Sequence, residues 1–200
     1  MAHSFDTQTV LSLKSTGSAV MELRKHLNGI SPTRLPLLTA DATFDLKTKI
    51  RVMEFQWQHR LKADGIVDKI TARHLSKTAS TYPIPTHPSG HCIVVDLVHW
   101  ILHAYRDGVE NVTASPIHGG PSTHAGVFQM SSRRLRNHTS TTYPIPPGNM
   151  NFSLFFDGVK AIHQGPGSLG SHGCIHVSPP YAERVFDWSG KHNVIVIVVK

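Results

Sequence analysis

The residues of this 200-residue chain that could do chemistry crowd into one stretch, Ala161 to Ser178, AIHQGPGSLGSHGCIHVS. It holds His163, His172, Cys174 and His176 within a glycine-rich run. A thiol, nearby imidazoles and accessible backbone amides are the parts of an acyl-transfer site. The imidazole takes the thiol proton, the sulfur attacks a carbonyl, and N–H groups receive the oxyanion. An ordinary cysteine ionises near ~8.5, so it needs a basic or cationic neighbour to react at neutral pH. Taken alone, Cys174 also fits a small buried hydrophobe among incidental loop histidines. Ser171-His172-Gly173-Cys174-Ile175 with His163 upstream favours the catalytic reading.

Composition bounds the rest. The length suits a small domain and a medium one. No run of ~18 apolar residues offers a membrane-spanning helix. The opening MAHSFDTQTVLSLKSTG lacks a basic segment followed by an apolar core, so no signal peptide is read in it. The formal charge of +7 points to an anionic partner, either nucleic acid or an acidic cell-wall polymer. The basic residues are scattered, and only Arg133, Arg134 and Arg136 cluster. No zinc-finger or RNA-recognition pattern accompanies them, so they read as a solvated loop and nucleic acid is not expected. The two cysteines are Cys92 and Cys174. A bridge between them would block the nucleophile, so both are expected as thiols, with Cys92 in the core of HCIVVDLVHW.

The elements that position these residues fall into two parts. Apolar spacing predicts helices over about 17–27, 46–59 and 70–77. Leu38, Asp41, Phe44, Asp45, Thr48 and Val52 are repeated 23 positions later as Leu61, Asp64, Val67, Asp68, Thr71 and Leu75. In each copy the first Asp opens a turn, the apolar residue plugs a core, and the second Asp caps the next helix. A Pro-rich stretch, 81–90, reads as a semi-rigid linker. From 91 onward β-type patterning dominates: one stretch over 92–105, then strands over 111–117, 126–131, 150–156, 159–163 and 193–199, with a single helix over 179–188. His99 and His103 would share a face of the 92–105 strand without a third ligand, so no metal site is expected there. The fold class expected is α+β in two domains: residues 1–80, a small three-helix module, and residues 91–200, mainly β.

Two resemblances sharpen this. Leu38…Asp41…Phe44…Thr48…Val52…Phe55-Gln56…Leu61…Asp64-Gly65…Val67…Thr71…Leu75 resembles the peptidoglycan-binding domain family of three-helix modules, over about 9–78. Asp45 and Asp68 stand where that family usually has Gly. The resemblance implies affinity for cell-wall peptide or glycan, that is, stem peptides and the sacculus as partners.

The second part resembles the L,D-transpeptidase catalytic domain family over about 91–199. The resemblance rests on Val94-Val95-Asp96-Leu97 with Leu102-His103-Ala104-Tyr105-Arg106-Asp107-Gly108, like its opening hairpin. It continues through Ser115-Pro116-Ile117-His118-Gly119-Gly120 and Thr123-His124-Ala125-Gly126, where the family turn usually reads Thr-Pro-x-Gly. It ends on Ala161-Ile162-His163 and Ser171-His172-Gly173-Cys174-Ile175. It implies Cys174 as nucleophile and His163 as general base, with the Gln164 carbonyl orienting that imidazole. Gly173 and Cys174 amides, with His172, would form the oxyanion hole, and Ser171, Gln164 and His176 would shape the substrate pocket. Neither a metal nor another cofactor is implied. Three departures stand out: only eight positions separate His163 from Ser171, His176 replaces the common Arg or Asn, and Gln164 replaces Gly or Ser. They bear on donor specificity and on whether water replaces an amine acceptor.

The function expected is therefore a cysteine acyltransferase on peptidoglycan stem tetrapeptides, forming cross-links, exchanging the terminal D-amino acid, or trimming it as a carboxypeptidase. A zinc-dependent wall peptidase using His163, His172, Cys174 and His176 is the alternative, but that set lacks a nearby acid and leaves no open coordination position. A non-catalytic wall-binding protein is the third reading. The expected location is the periplasm or cell wall. A further variant is an exported antibacterial effector, which would bring export machinery or an immunity partner.

Overall fold

A computed structural model describes residues 9–30, 33–79, 89–144, 148–166, 171–190 and 192–200. The chain divides into two compact units, 1–90 and 91–200. Most of the stretch read as a linker, 81–88, lies outside the described residues.

The first unit holds three helices, α1 (Ser18–Gly29), α2 (Leu46–Gln58) and α3 (Lys69–Lys77). Its core gathers Val20, Leu23 and Leu27 from α1 with Val52 and Phe55 from α2 and Ala72 and Leu75 from α3. Phe44 and Val67, the apolar plugs of the repeat, are both buried there. The capping role read for the second Asp of each copy is present. Asp45 Oδ1 accepts from Thr48 N at 2.8 Å and Asp68 Oδ1 from Thr71 N at 2.8 Å, each three residues into its helix.

The two copies are held from the inside by different side chains. Arg24 Nη1 donates to the Thr43 carbonyl and to Thr48 Oγ1, at 2.5 and 2.9 Å. Gln56 Nε2 donates to the Ile66 carbonyl and Thr71 Oγ1, at 2.9 and 3.1 Å. Positions 66 and 71 are 43 and 48 displaced by the repeat, so a guanidinium and an amide serve matching acceptors. Arg24 is fully buried, and Asp41 and Asp45 at 3.0 and 3.2 Å balance its charge.

The second unit is two five-stranded sheets. The first orders β3 (Val109–Ala114), β2 (Ile101–Arg106), β1 (His91–Asp96), β10 (Val194–Val199) and β5 (Gly126–Gln129). The second orders β4 (Ile117–His118), β9 (Ile175–Val177), β8 (Lys160–Gln164), β7 (Ser153–Asp157) and β6 (Arg134–Leu135). One helix, α4 (Tyr181–Ser189), completes the unit. Ile93, Val95, Val196 and Val198 of the first sheet pack with Leu154, Ile162 and Ile175 of the second and with Val185 of α4. The class is α+β, as expected, with three helices first and a mainly-β part after them.

Three local expectations are corrected. The 92–105 stretch is two strands, not one. Asp96 Oδ1 accepts from Val98 N and His99 N, at 2.9 and 3.0 Å, and turns the chain between them. His99 therefore lies in the turn, bound to Asp96, while His103 lies in β2 against Glu110, so they share no sheet face. The arginine cluster is not a solvated loop. Arg134 lies over the Phe186 ring and donates to its carbonyl at 2.5 Å, and Arg136 pairs with Glu183 at 2.7 Å and Asp187 at 2.5 Å. Both arginines fasten β6 to α4.

Candidate active site

His163 lies on β8, and Cys174 immediately precedes the neighbouring parallel strand β9. β8 pairs with β9 so that Ile162 faces Ile175 and His163 faces His176. One step back, Ala161 lies beside Cys174, and its amide donates to Cys174 Sγ at 3.5 Å. Side chains alternate along a strand, so Ala161, His163, Cys174 and His176 share one face. Ile162 and Ile175 point the other way into the core. The sulfur and the imidazole are diagonal neighbours, two residues along and one strand across, ~8 Å between backbones. Cys174 is half-buried and packs against Met150, Phe155 and Ala161. Cys92 is buried elsewhere, and both are free thiols.

The imidazole is fixed by its own neighbour. His163 Nδ1 lies 2.8 Å from the Gln164 carbonyl. A carbonyl only accepts, so Nδ1 carries the proton and Nε2 presents its lone pair. The His163 ring also meets the His176 ring edge-on, with centroids 4.8 Å apart. A side chain at position 165 would begin 2.8 Å from His176 Cγ, so Gly165 leaves that ring its place. Burial, with His176 and His138 adding to it and the Gln164 hydrogen bond opposing it, takes the His163 pKa down to about 4. Burial pushes the Cys174 thiol up, with the Ala161 amide and Lys160 pulling partly back. The resting pair is a neutral thiol beside a neutral imidazole.

The loop carrying the thiol is braced from below. Thr123 Oγ1 accepts from Gly120 N at 2.8 Å and donates to the Gly173 carbonyl at 3.0 Å. A Cβ at Gly120 would fall 1.6 Å from the Ser171 carbonyl oxygen, so only glycine lets the 119–123 turn lie against 171–173. Ser171 is buried, and its Oγ accepts from Gly173 N at 3.0 Å. The Gly173 amide, expected for the oxyanion, is therefore held by Ser171 in this state. His172 is exposed and stacks on Tyr143, with ring centroids 4.3 Å apart and planes 11° from parallel.

Sequence reasoning singled out Cys174, His163, Gln164, Ser171, His172, Gly173 and His176, and the structure gathers them on β8, β9 and the loop before β9. It passed over Lys160. That ammonium donates to Asp157 Oδ2 at 2.8 Å and lies 2.9 Å from His124 Nδ1, while its Cε is 3.2 Å from where a Gly173 Cβ would stand. The signal was faint: a cation two residues past Gly158 and a histidine where the family turn carries proline. Among the described residues, no group of three or more His, Cys, Asp or Glu could hold a metal ion.

Comparisons with known proteins give the family of each unit. The family model for the L,D-transpeptidase catalytic domain matches residues 90–198, and one described as a peptidoglycan binding domain matches residues 16–75. The chain belongs to the L,D-transpeptidase catalytic domain family, and the unit holding Cys174 is an enzyme of that type. A solved L,D-transpeptidase from Stackebrandtia nassauensis is similar in fold, at 19% identity and a TM-score of 0.50, with 95% of each chain covered. One from Xylanimonas cellulosilytica gives 24% identity and a TM-score of 0.45 over 96% of this chain and 98% of that one. Among curated proteins none matches in sequence. Peptidoglycan is the partner that the first unit's family supports.

Proposed function

We propose that Cys174 is the nucleophile of an L,D-transpeptidase acting on peptidoglycan stem tetrapeptides, with His163 as its base. The observation that carries this reading is the β8–β9 register, which sets sulfur and imidazole on one face while Gln164 holds the proton on Nδ1.

The donor is the amide between meso-diaminopimelate and the terminal D-alanine. As Cys174 Sγ attacks that carbonyl, its proton passes to His163 Nε2. The carbon–sulfur bond forms and the negative charge moves to the carbonyl oxygen. The Cys174 and Gly173 amides receive it, and for the latter Gly173 N–H must leave Ser171 Oγ. Collapse breaks the carbon–nitrogen bond, His163 returns the proton to the leaving amine, and D-alanine departs. An amine acceptor then resolves the thioester into a cross-link or an exchanged terminus. Water resolves it as a carboxypeptidase would, a branch favoured by the short span from His163 to Ser171. Because both partners start neutral, the proton moves with the attack, and no standing thiolate–imidazolium pair precedes it.

The division of labour follows the two family matches. Residues 1–80 hold the chain on the wall through peptide or glycan, and residues 91–200 do the chemistry. The working location is the periplasm or cell wall, where that polymer lies.

The test is incubation of wild type and Cys174→Ala with a defined tetrapeptide muropeptide, read by mass. Wild type should release D-alanine and carry the acyl fragment on Cys174, and the variant should do neither. Release by the variant, or an intact protein without adduct during turnover, overturns the reading.

A further inference from the structure

The face that carries the thiol continues beyond the catalytic pair. β6 pairs with β7 so that Arg134 faces Leu154, which sets Arg133 beside Phe155. Phe155 in turn faces Ala161, and Ala161 lies beside Cys174. Arg133, Phe155, Ala161 and Cys174 thus form one row across the second sheet, with Arg133 and Cys174 one residue before β6 and β9, on the face opposite Ile162 and Ile175. Arg133 is exposed, with its guanidinium carbon 4.2 Å from the centroid of the buried Phe155 ring. The stack holds the planar cation flat and leaves its edge donors for a ligand.

Its neighbours are spoken for, and Arg133 is not. Arg136 pairs with two carboxylates of α4, and Arg134 is tied to the Phe186 carbonyl and Ser189. Among the described residues no acid pairs with Arg133. Its charge, after burial, helps hold His138 below the usual imidazole range. An unpaired guanidinium stacked on an aromatic ring, in the row of the nucleophile, is built to take a carboxylate bidentately.

Distance excludes the terminal one. Phe155 lies two strand spacings from Cys174, ~10 Å. The terminal D-alanine carboxylate is about one residue length, ~3.5 Å, from the carbonyl that the sulfur attacks, and is too near. The second carboxylate of the diamino acid stands at the end of its side chain, about two residue lengths or ~7 Å away. We propose that Arg133, seated on Phe155 in the row of Cys174, binds the side-chain carboxylate of the donor's diamino acid. This inference rests on the donor assigned above and moves substrate recognition onto β6, in a chain where His176 has replaced the usual Arg or Asn beside the thiol.

Binding is measured so that it does not depend on turnover. In a Cys174→Ala background, calorimetry follows the free tetrapeptide, the same peptide amidated at the side-chain carboxyl, and the same peptide amidated at its C-terminus. Adding Arg133→Met should weaken the free peptide by about tenfold or more and leave the side-chain amide unchanged. Arg133→Lys should restore part of the loss, and the C-terminal amide should behave as the free peptide does. Equal loss on all three peptides would mean that Arg133 does not act through the side-chain carboxylate of the diamino acid, and would overturn the inference. So would dependence on the C-terminal carboxyl alone, or no binding of any peptide by Cys174→Ala. Failure of wild type to release D-alanine while these binding differences persist would instead defeat the cysteine mechanism and leave the carboxylate site standing.

Discussion

His163 Nδ1 sits 2.8 Å from the carbonyl of Gln164, the residue that follows it, so the imidazole is oriented by its own strand. Among the described residues no carboxylate pairs with this ring. An acid in that place would favour imidazolium. A carbonyl fixes the tautomer with much less pull, and burial dominates, leaving the ring neutral down to about pH 4.

A pH dependence of stability follows. The folded pKa of His163 lies below its unfolded value of 6.5, so the unfolded chain binds more protons between about 4 and 6.5. The stabilisation is whole above 6.5 and is lost as pH falls through that window, by roughly 3 kcal/mol. Urea unfolding of wild type and His163→Gln from pH 7.5 to 4 should show the two curves converging at the acid end. Parallel curves would contradict a buried neutral imidazole.

Alkylation of Cys174 by iodoacetamide should rise with pH to a midpoint above that of a free cysteine thiol, because burial opposes the thiolate. Lys160→Met should move the midpoint further up, since that ammonium stands beside Gly173 and lowers the thiol pKa. A midpoint well below the free thiol's would mean a preformed ion pair.

Thr123 links Gly120 N to the Gly173 carbonyl from a fully buried position. Thr123→Val keeps the shape and strands both groups, at a cost of about 1–3 kcal/mol for each buried group left unsatisfied. Denaturation midpoints should fall accordingly, and D-alanine release should drop by about tenfold as the thiol loop loosens. Thr123→Ser should recover most of both.

Gly120→Ala places a carbon 1.6 Å from the Ser171 carbonyl. The loop before β9 must shift, and turnover should be lost while the first unit unfolds as in wild type. Separate melting of the two units, followed by calorimetry, checks this. Near-normal turnover would show that the 119–123 turn yields freely.

Removing a cap should cost about 1 kcal/mol in the first unit. Asp68→Ala tests this most simply, because Asp68 binds the Thr71 amide without the Arg24 contact that Asp45 also makes. The loss should appear in urea unfolding and leave Cys174 alkylation unchanged.

The three helices and their caps were legible because they depend on residues close in sequence, and the 23-residue repeat showed the same device twice. The stretch singled out for chemistry stood out because thiol, imidazole and glycines lie within twelve positions of one another, from 163 to 174. What escaped was set by distant partners or by brevity. β6 and β9 span two and three residues, too few for alternation to register. Arg134 and Arg136 meet partners some fifty positions away on α4, so their run looked like a loop. The break after Asp96 had a local signal, an Asp closing a Val-rich run, that marks a side-chain-bonded turn.

The strand β10 lies between β1 and β5 in the first sheet, yet the ribosome makes it after every other described strand. Until it arrives, β1 and β5 have no common neighbour and their apolar edges stand open. The first sheet of this unit therefore closes only when β10, the last of its described strands, is in place.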